Sequence, residues 1–232
     1  MSAYVLVHGA WHGGWCWDRV RPVLEQRRNR VYTPTLTGLG DRASLASPAI
    51  GLDTHIDDIV GVVERAALTD VVLVGHSYAG VVVTAVADRI PQSLARVIFV
   101  DAVVPQSGRS LLECSGPGFR SHIEEQARTQ GEGWKIPVPR PESLGLFEQS
   151  DIEWVMPRLV PHPYRTFCDR VKLESRASVR RTYINCIGEK PRGGSRSVQA
   201  AGIDDYHELS TGHDAMVTAP RELAELLCLY AG

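Results

Sequence analysis

The passage that most constrains the fold is Val71-Val72-Leu73-Val74-Gly75-His76-Ser77-Tyr78-Ala79-Gly80. A short, wholly apolar run meets a Gly-x-Ser-x-Ala-Gly turn, and an apolar helical stretch begins at once. A strand apolar on both faces needs helices above and below it, which is the condition of a parallel sheet. The rest of the chain agrees. Residues 4–8 (YVLVH), 30–33, 70–74, 96–101, 181–187 and 205–209 read as strands. Helical spacing runs over residues 15–26, 53–67, 77–90 and 220–229, with Asp53 or Thr54 expected to cap the second. Strands alternating with helices predict an α/β fold with a mainly parallel, doubly wound sheet.

The alternation breaks over residues 104–171, which hold Pro137, Pro139, Pro141, Pro157, Pro161 and Pro163 among short helical pieces. So long a segment exceeds an ordinary crossover. It is expected to be an inserted helical cap, with residues 1–103 and 172–232 forming the core.

Composition removes several classes of function. With 25 basic against 27 acidic residues the net charge is −2, and there is no basic run, so the electrostatic footprint of a nucleic-acid binder is missing. Apolar runs of about ten residues are half of a membrane span. The five cysteines are scattered without a CxxC pair, and with no signal sequence in view they predict reduced thiols in a cytoplasmic protein.

The turn also has a chemistry. A serine on so sharp a strand-to-helix bend projects its hydroxyl at a helix N-terminus, and only small residues fit at positions −2 and +2, here Gly75 and Ala79. Ser77 is the candidate nucleophile. His8-Gly9-Ala10-Trp11-His12-Gly13-Gly14-Trp15 follows the first strand. Its small residues let backbone amides approach a substrate, and acyl transfer needs two donors for the oxyanion; Ala10 and Tyr78 are the natural pair. Near the C-terminus, Gly212-His213-Asp214-Ala215-Met216 follows a strand and places His213 as general base. His207 lies inside that strand, and His55, His122 and His162 are expected on the surface or the cap. His8 and His12 lack further ligands at metal spacing, and the glycines match no nucleotide loop, so no metal and no cofactor is implied.

HGAWHGGWCW, GHSYAG and GHDAM together resemble the α/β-hydrolase group of plant methyl esterases and hydroxynitrile lyases, with their small bacterial esterase relatives. The resemblance covers the core and is weak in the cap. It implies the α/β-hydrolase fold, with Ser77 as nucleophile, His213 as base, and Ala10 and Tyr78 as oxyanion donors. Lyases of the group carry threonine after the first histidine and lysine after the catalytic one; here Gly9 and Asp214 stand there, which favours the esterase pattern. Related haloalkane dehalogenases use an aspartate nucleophile, which Ser77 excludes. Two acids compete for the third place. The plant relatives put an aspartate after the strand matching residues 182–187, where Glu189 stands here; Asp101 instead ends the strand at 96–101, where some dehalogenases put theirs. Asp101 is expected, with Glu189 as the alternative.

The expected activity is hydrolysis of carboxylic esters of small, largely apolar molecules, with Trp11, Trp134 and Trp154 at the substrate. A lyase or C–C hydrolase, a tailoring enzyme, or a small-ligand receptor with an idle triad are the other readings. Neither nucleic acid nor membrane is an expected partner, and a homodimer is allowed.

Overall fold

The computed structural model describes residues 2–174, 179–188 and 202–231. Six strands form one sheet: β1 (Ala3–Val7), β2 (Arg30–Tyr32), β3 (Val71–His76), β4 (Leu94–Val100), and, after a long intervening segment, β7 (Arg180–Cys186) and β8 (Asp205–Leu209). Their order is β2-β1-β3-β4-β7-β8, and every pair within it is parallel.

The two-residue period of the strands divides the core. Val5, Val7, Leu73, Val97 and Phe99 face one apolar cluster; Tyr4, Leu6, Val74, Ile98 and Val100 face the other. The first is covered by α2 (Leu52–Arg65) and α3 (Ala79–Arg89), the second by α1 (Arg21–Gln26) and α9 (Pro220–Cys228). This is the doubly wound arrangement that the apolar strands require. Order reverses at β1, so the carboxyl ends of β1 and β3 flank the crevice where such sheets bind ligands.

Local chemistry moves some boundaries. The helix expected over residues 15–26 splits into a 3₁₀ turn, Gly14–Trp17, and α1, which has Pro22 in its first turn. A proline lacks the amide a continuing helix would use, so it starts a helix rather than extending one. α2 is not capped by Asp53 or Thr54: its N-cap is Gly51, which makes no side-chain cap bond, and the Leu52 amide donates to Asp169 at 3.0 Å.

Between β4 and β7 lie α4 (Leu111–Ser115), α5 (Pro117–Gln130), β5 (Lys135–Ile136), α6 (Gln149–Val155), β6 (His162–Pro163), which pairs antiparallel with β5, and α7 (Arg165–Cys168). This stretch packs on residues at the carboxyl ends of the sheet. The Trp11 indole donates to the Ile136 carbonyl at 3.2 Å, and Phe167 stacks on Tyr78 with ring centroids 5.4 Å apart. α8 (Ala215–Thr218) follows directly on the His213 loop.

Candidate active site

Ser77 sits where β3 gives way to α3, with φ at +54°. Side chains rarely adopt that backbone region, and such strain persists only where neighbours enforce it. Here they do: the Ser77 amide donates to the Val100 carbonyl at 3.2 Å, and the Val103 amide donates to the Ser77 carbonyl at 3.1 Å. α3 therefore starts at Ala79. A Cβ on Gly75 would lie 2.7 Å from a Val83 methyl, and one on Gly80 would lie 2.1 Å from the Val103 carbonyl oxygen. The turn closes only with these residues absent a side chain.

Three side chains from distant positions meet there. The Ser77 hydroxyl is 2.8 Å from His213 Nε2, and His213 Nδ1 is 2.6 Å from the Asp101 carboxylate. Because Nδ1 faces a carboxylate, it carries the proton, and Nε2 is left to accept from the serine. Asp101 follows β4 with φ at +44°, its amide donating to the Ile184 carbonyl at 2.9 Å. Glu189, the competing acid, lies outside the described residues. Ala10 is buried in the loop after β1, and neighbouring Gly9 is pressed against the turn, so that a Cβ there would be 3.0 Å from Ser77 Cβ. Tyr78 opens α3, where amides have no carbonyl one turn back. The arrangement offers a hydroxyl, a base that can take its proton, an acid that orients the base, and amides on either side.

A description of the alpha/beta hydrolase family matches residues 4–226 of this fold. The chain belongs to the alpha/beta hydrolase family. This hydrolase is similar to a carbendazim hydrolyzing esterase of Nocardioides sp. (strain SG-4G), 36% identical over 238 residues, which cover 98% of each chain. Among solved structures it is similar to an extracellular alpha/beta-hydrolase from a Paenibacillus species, with a TM-score of 0.88 at 22% identity, covering 100% of this chain and 99% of that one. It is also similar to a methylesterase from Arabidopsis, with a TM-score of 0.80 at 22% identity, covering 99% and 98%. The solved structures share its fold, and kinship along the whole chain with a named esterase makes it a carboxylic ester hydrolase.

Behind the site the hydrolase packs several buried histidines. His55, expected on the surface or the cap, is fully buried in α2; His162 falls within residues 104–171, as expected for a cap residue, and is fully buried as well, while His122 is exposed. His55 donates from Nε2 to the Thr37 carbonyl and accepts the Tyr78 hydroxyl at Nδ1, 2.8 Å away; burial pushes it down to about 4. His162 accepts the Trp11 amide and bonds the Thr166 hydroxyl, and burial holds it well below the usual histidine range. His8 donates to the Gly9 carbonyl and accepts the Leu36 amide; burial takes it to about 3. His76 donates from Nε2 to the His213 carbonyl at 2.9 Å and is likewise taken by burial to about 3. All four are neutral packing elements of the hydrolase's site.

His12 differs. Its Nδ1 is 2.7 Å from the Ala10 carbonyl and its Nε2 is 3.0 Å from the Asp214 carboxylate. Burial works most strongly against its charge, but the Asp214 charge and hydrogen bond, with the bond to the Ala10 carbonyl, together outweigh it and the histidine is raised above its ordinary value. Asp214 is lowered in turn, burial opposing and His12 prevailing. The sequence carried no sign of this pair, whose members are 202 residues apart.

The tryptophans divide. Trp11, at φ +66°, packs edge-on against His162 and Phe167 beside the turn. Trp134 is half-exposed under the Lys135 ammonium, two residues from the carbonyl that Trp11 bonds. Trp154 packs edge-on against Trp15, with the Arg19 and Arg158 guanidinium groups over its ring.

One cluster among the described residues, His76, His213 and Asp214, has ligand-type atoms within 4.8 Å of one another. Both His213 nitrogens are already engaged by Ser77 and Asp101, and His76 Nε2 by a carbonyl. This donor set fits proton handling rather than an ion. No helix among the described residues is long and apolar enough to cross a membrane.

Proposed function

We propose that the chain hydrolyses short-alkyl esters of small, largely apolar acids by two-step acyl transfer through Ser77. The observation that supports it is the unbroken line Ser77 Oγ, His213 Nε2, His213 Nδ1, Asp101 Oδ2, with links of 2.8 and 2.6 Å. As Ser77 attacks the ester carbonyl, His213 takes its proton, and the Ala10 and Tyr78 amides hold the charge that develops on the carbonyl oxygen. His213 then gives the proton to the leaving alkoxide, which departs as the alcohol. Water, deprotonated by the same imidazole, cleaves the acyl-enzyme and releases the acid and free Ser77. Asp101 keeps the imidazole in the tautomer that accepts at Nε2.

Residues 104–171 act in this reading as a cap over the core, bringing Phe167 and His162 beside Trp11 to form an apolar wall, with Trp134 at its edge. Methyl esters are the first substrates to test, with carbendazim beside them because a relative is named for it. Lyase chemistry has less support: Asp214 stands where lyases of the group have lysine, and its carboxylate points away toward His12. The five free cysteines support a cytoplasmic setting, and a homodimer, read by light scattering, is the assembly this reading allows.

The test is direct. A fluorophosphonate should label Ser77 stoichiometrically, and Ser77→Ala should lower p-nitrophenyl and methyl ester hydrolysis by several orders of magnitude with folding intact. Retention of most activity by the Ser77→Ala protein would exclude the mechanism.

A further inference from the structure

Acyl transfer at Ser77 needs two loops in fixed relation: the one after β1, with the Ala10 amide, and the one after β8, with His213. Their strands are second and last in the sheet order, so no backbone ladder connects them. One buried side chain does. His12 is 1% exposed, Asp214 is fully buried, and the pair joins the Ala10 carbonyl to the residue next to His213.

We propose that His12 is a positioning residue: it clamps the Ala10 loop to the His213 loop through Asp214 and balances the Asp214 charge behind the base. The proposal rests on the Ser77–His213 reading above. Both His12 nitrogens face oxygen acceptors, so a doubly protonated ring satisfies both at once. The counter-charge is needed because Asp214, His76 and His213 have their polar atoms within 4.8 Å of one another. The second carboxylate oxygen, Asp214 Oδ1, has no hydrogen-bond partner among the described residues, and His76 Nε2 is 3.8 Å away and committed to the His213 carbonyl. His8 and His76 are held neutral by burial, burial raises the Cys16 thiol, and Trp15 lies 5.5 Å from the His12 ring. His12 is therefore the group that balances the Asp214 charge beside the base. The same loop is also held from the inserted segment, the Asp214 amide donating to the Leu144 carbonyl at 3.0 Å, which fixes where the carboxylate points.

The experiment compares the full-length wild type with His12→Asn, His12→Gln and His12→Asn/Asp214→Asn. Asparagine reproduces a donor at the Nδ1 place and abandons Asp214; glutamine reproduces Nε2 and abandons Ala10. Each variant is read by circular dichroism, by fluorophosphonate labelling of Ser77, and by kcat and KM for p-nitrophenyl acetate across pH. Each single His12 variant should lose roughly 10- to 100-fold in kcat with KM within about threefold, since each cuts half of the clamp. In both, the acid limb of kcat/KM should rise by roughly one pH unit as the uncompensated carboxylate favours the charged base. The double variant should return the limb to its wild-type position with kcat still low. A merely structural role would not move the limb and restore it. Folded single variants with wild-type kcat and an unmoved limb overturn the inference. Should they fail to fold, the double variant, which has no unpaired buried charge, carries the same test, and wild-type kcat there overturns it. Wild-type protein that does not label at Ser77 overturns the mechanism itself, and this inference with it.

Discussion

At Gly9 the backbone runs so close to the turn that an added Cβ would sit 2.8 Å from His76 Nδ1 and 3.0 Å from Ser77 Cβ. The threonine that lyases of the group carry there thus has no room in this chain. Gly9→Thr is expected to lose roughly 1–3 kcal/mol of stability by overpacking, read as a lower urea midpoint, and to lower esterase kcat. An unchanged midpoint would show that the loop yields. Asp214→Lys meets a harder obstacle, because it sets a second cation against His12 in a site without solvent. Local context singles out Ser77 in its strand–turn–helix and His213 after a terminal strand, and the structure brings the two within 2.8 Å. The His12–Asp214 pair and the burial of His55 were not legible, because burial of a polar group depends on partners far away in the chain, and no spacing encodes them.

Among elements, the central strands β1, β3 and β4 were legible because each is a mostly apolar run buried on both faces, and α3 because it follows its turn without a linker. The caps were not. α2 takes its first-turn partner from Asp169, 117 positions away, so its start is decided by tertiary contact. Asp169→Ala should cost about 1 kcal/mol in chemical denaturation, typical of a lost cap; no change would mean that solvent serves that amide equally well. The inserted segment also touches the base loop backbone to backbone. A Cβ on Gly145, at φ +71°, would lie 2.5 Å from the His213 amide nitrogen, and one on Gly212 would lie 2.4 Å from the Gly145 carbonyl oxygen. Gly145→Ala should therefore displace His213 and reduce kcat, with the melting temperature falling too. Wild-type kcat in that variant would show the two loops to be independent.

The molecule as a whole stores four neutral histidines, His8, His55, His76 and His162, each pushed below its ordinary value by burial. On unfolding each regains a value near 6.5 and takes up a proton below it. The stability this arrangement permits is full above about pH 6.5 and is lost as pH falls toward the folded values. His12 works the other way, its contribution being full below that pH and lost as pH rises through its raised folded value. Four protons taken up amount to a slope of roughly 5 kcal/mol per pH unit, so unfolding should be complete between about pH 5.5 and 4. A melting temperature flat from pH 7 to 4 would contradict this. The same assembly of distant parts makes the site: residues 77, 101 and 213 meet because β3, β4 and the loop after β8 end on one edge of the sheet. Asp101 is the proposed acid of this constellation, and kcat of Asp101→Asn beside Glu189→Gln tests that role. Asp101→Asn should lose roughly 10³- to 10⁴-fold, from misorientation of the imidazole, and Glu189→Gln less than about tenfold. A large loss at Glu189 with near-normal turnover in Asp101→Asn would contradict it.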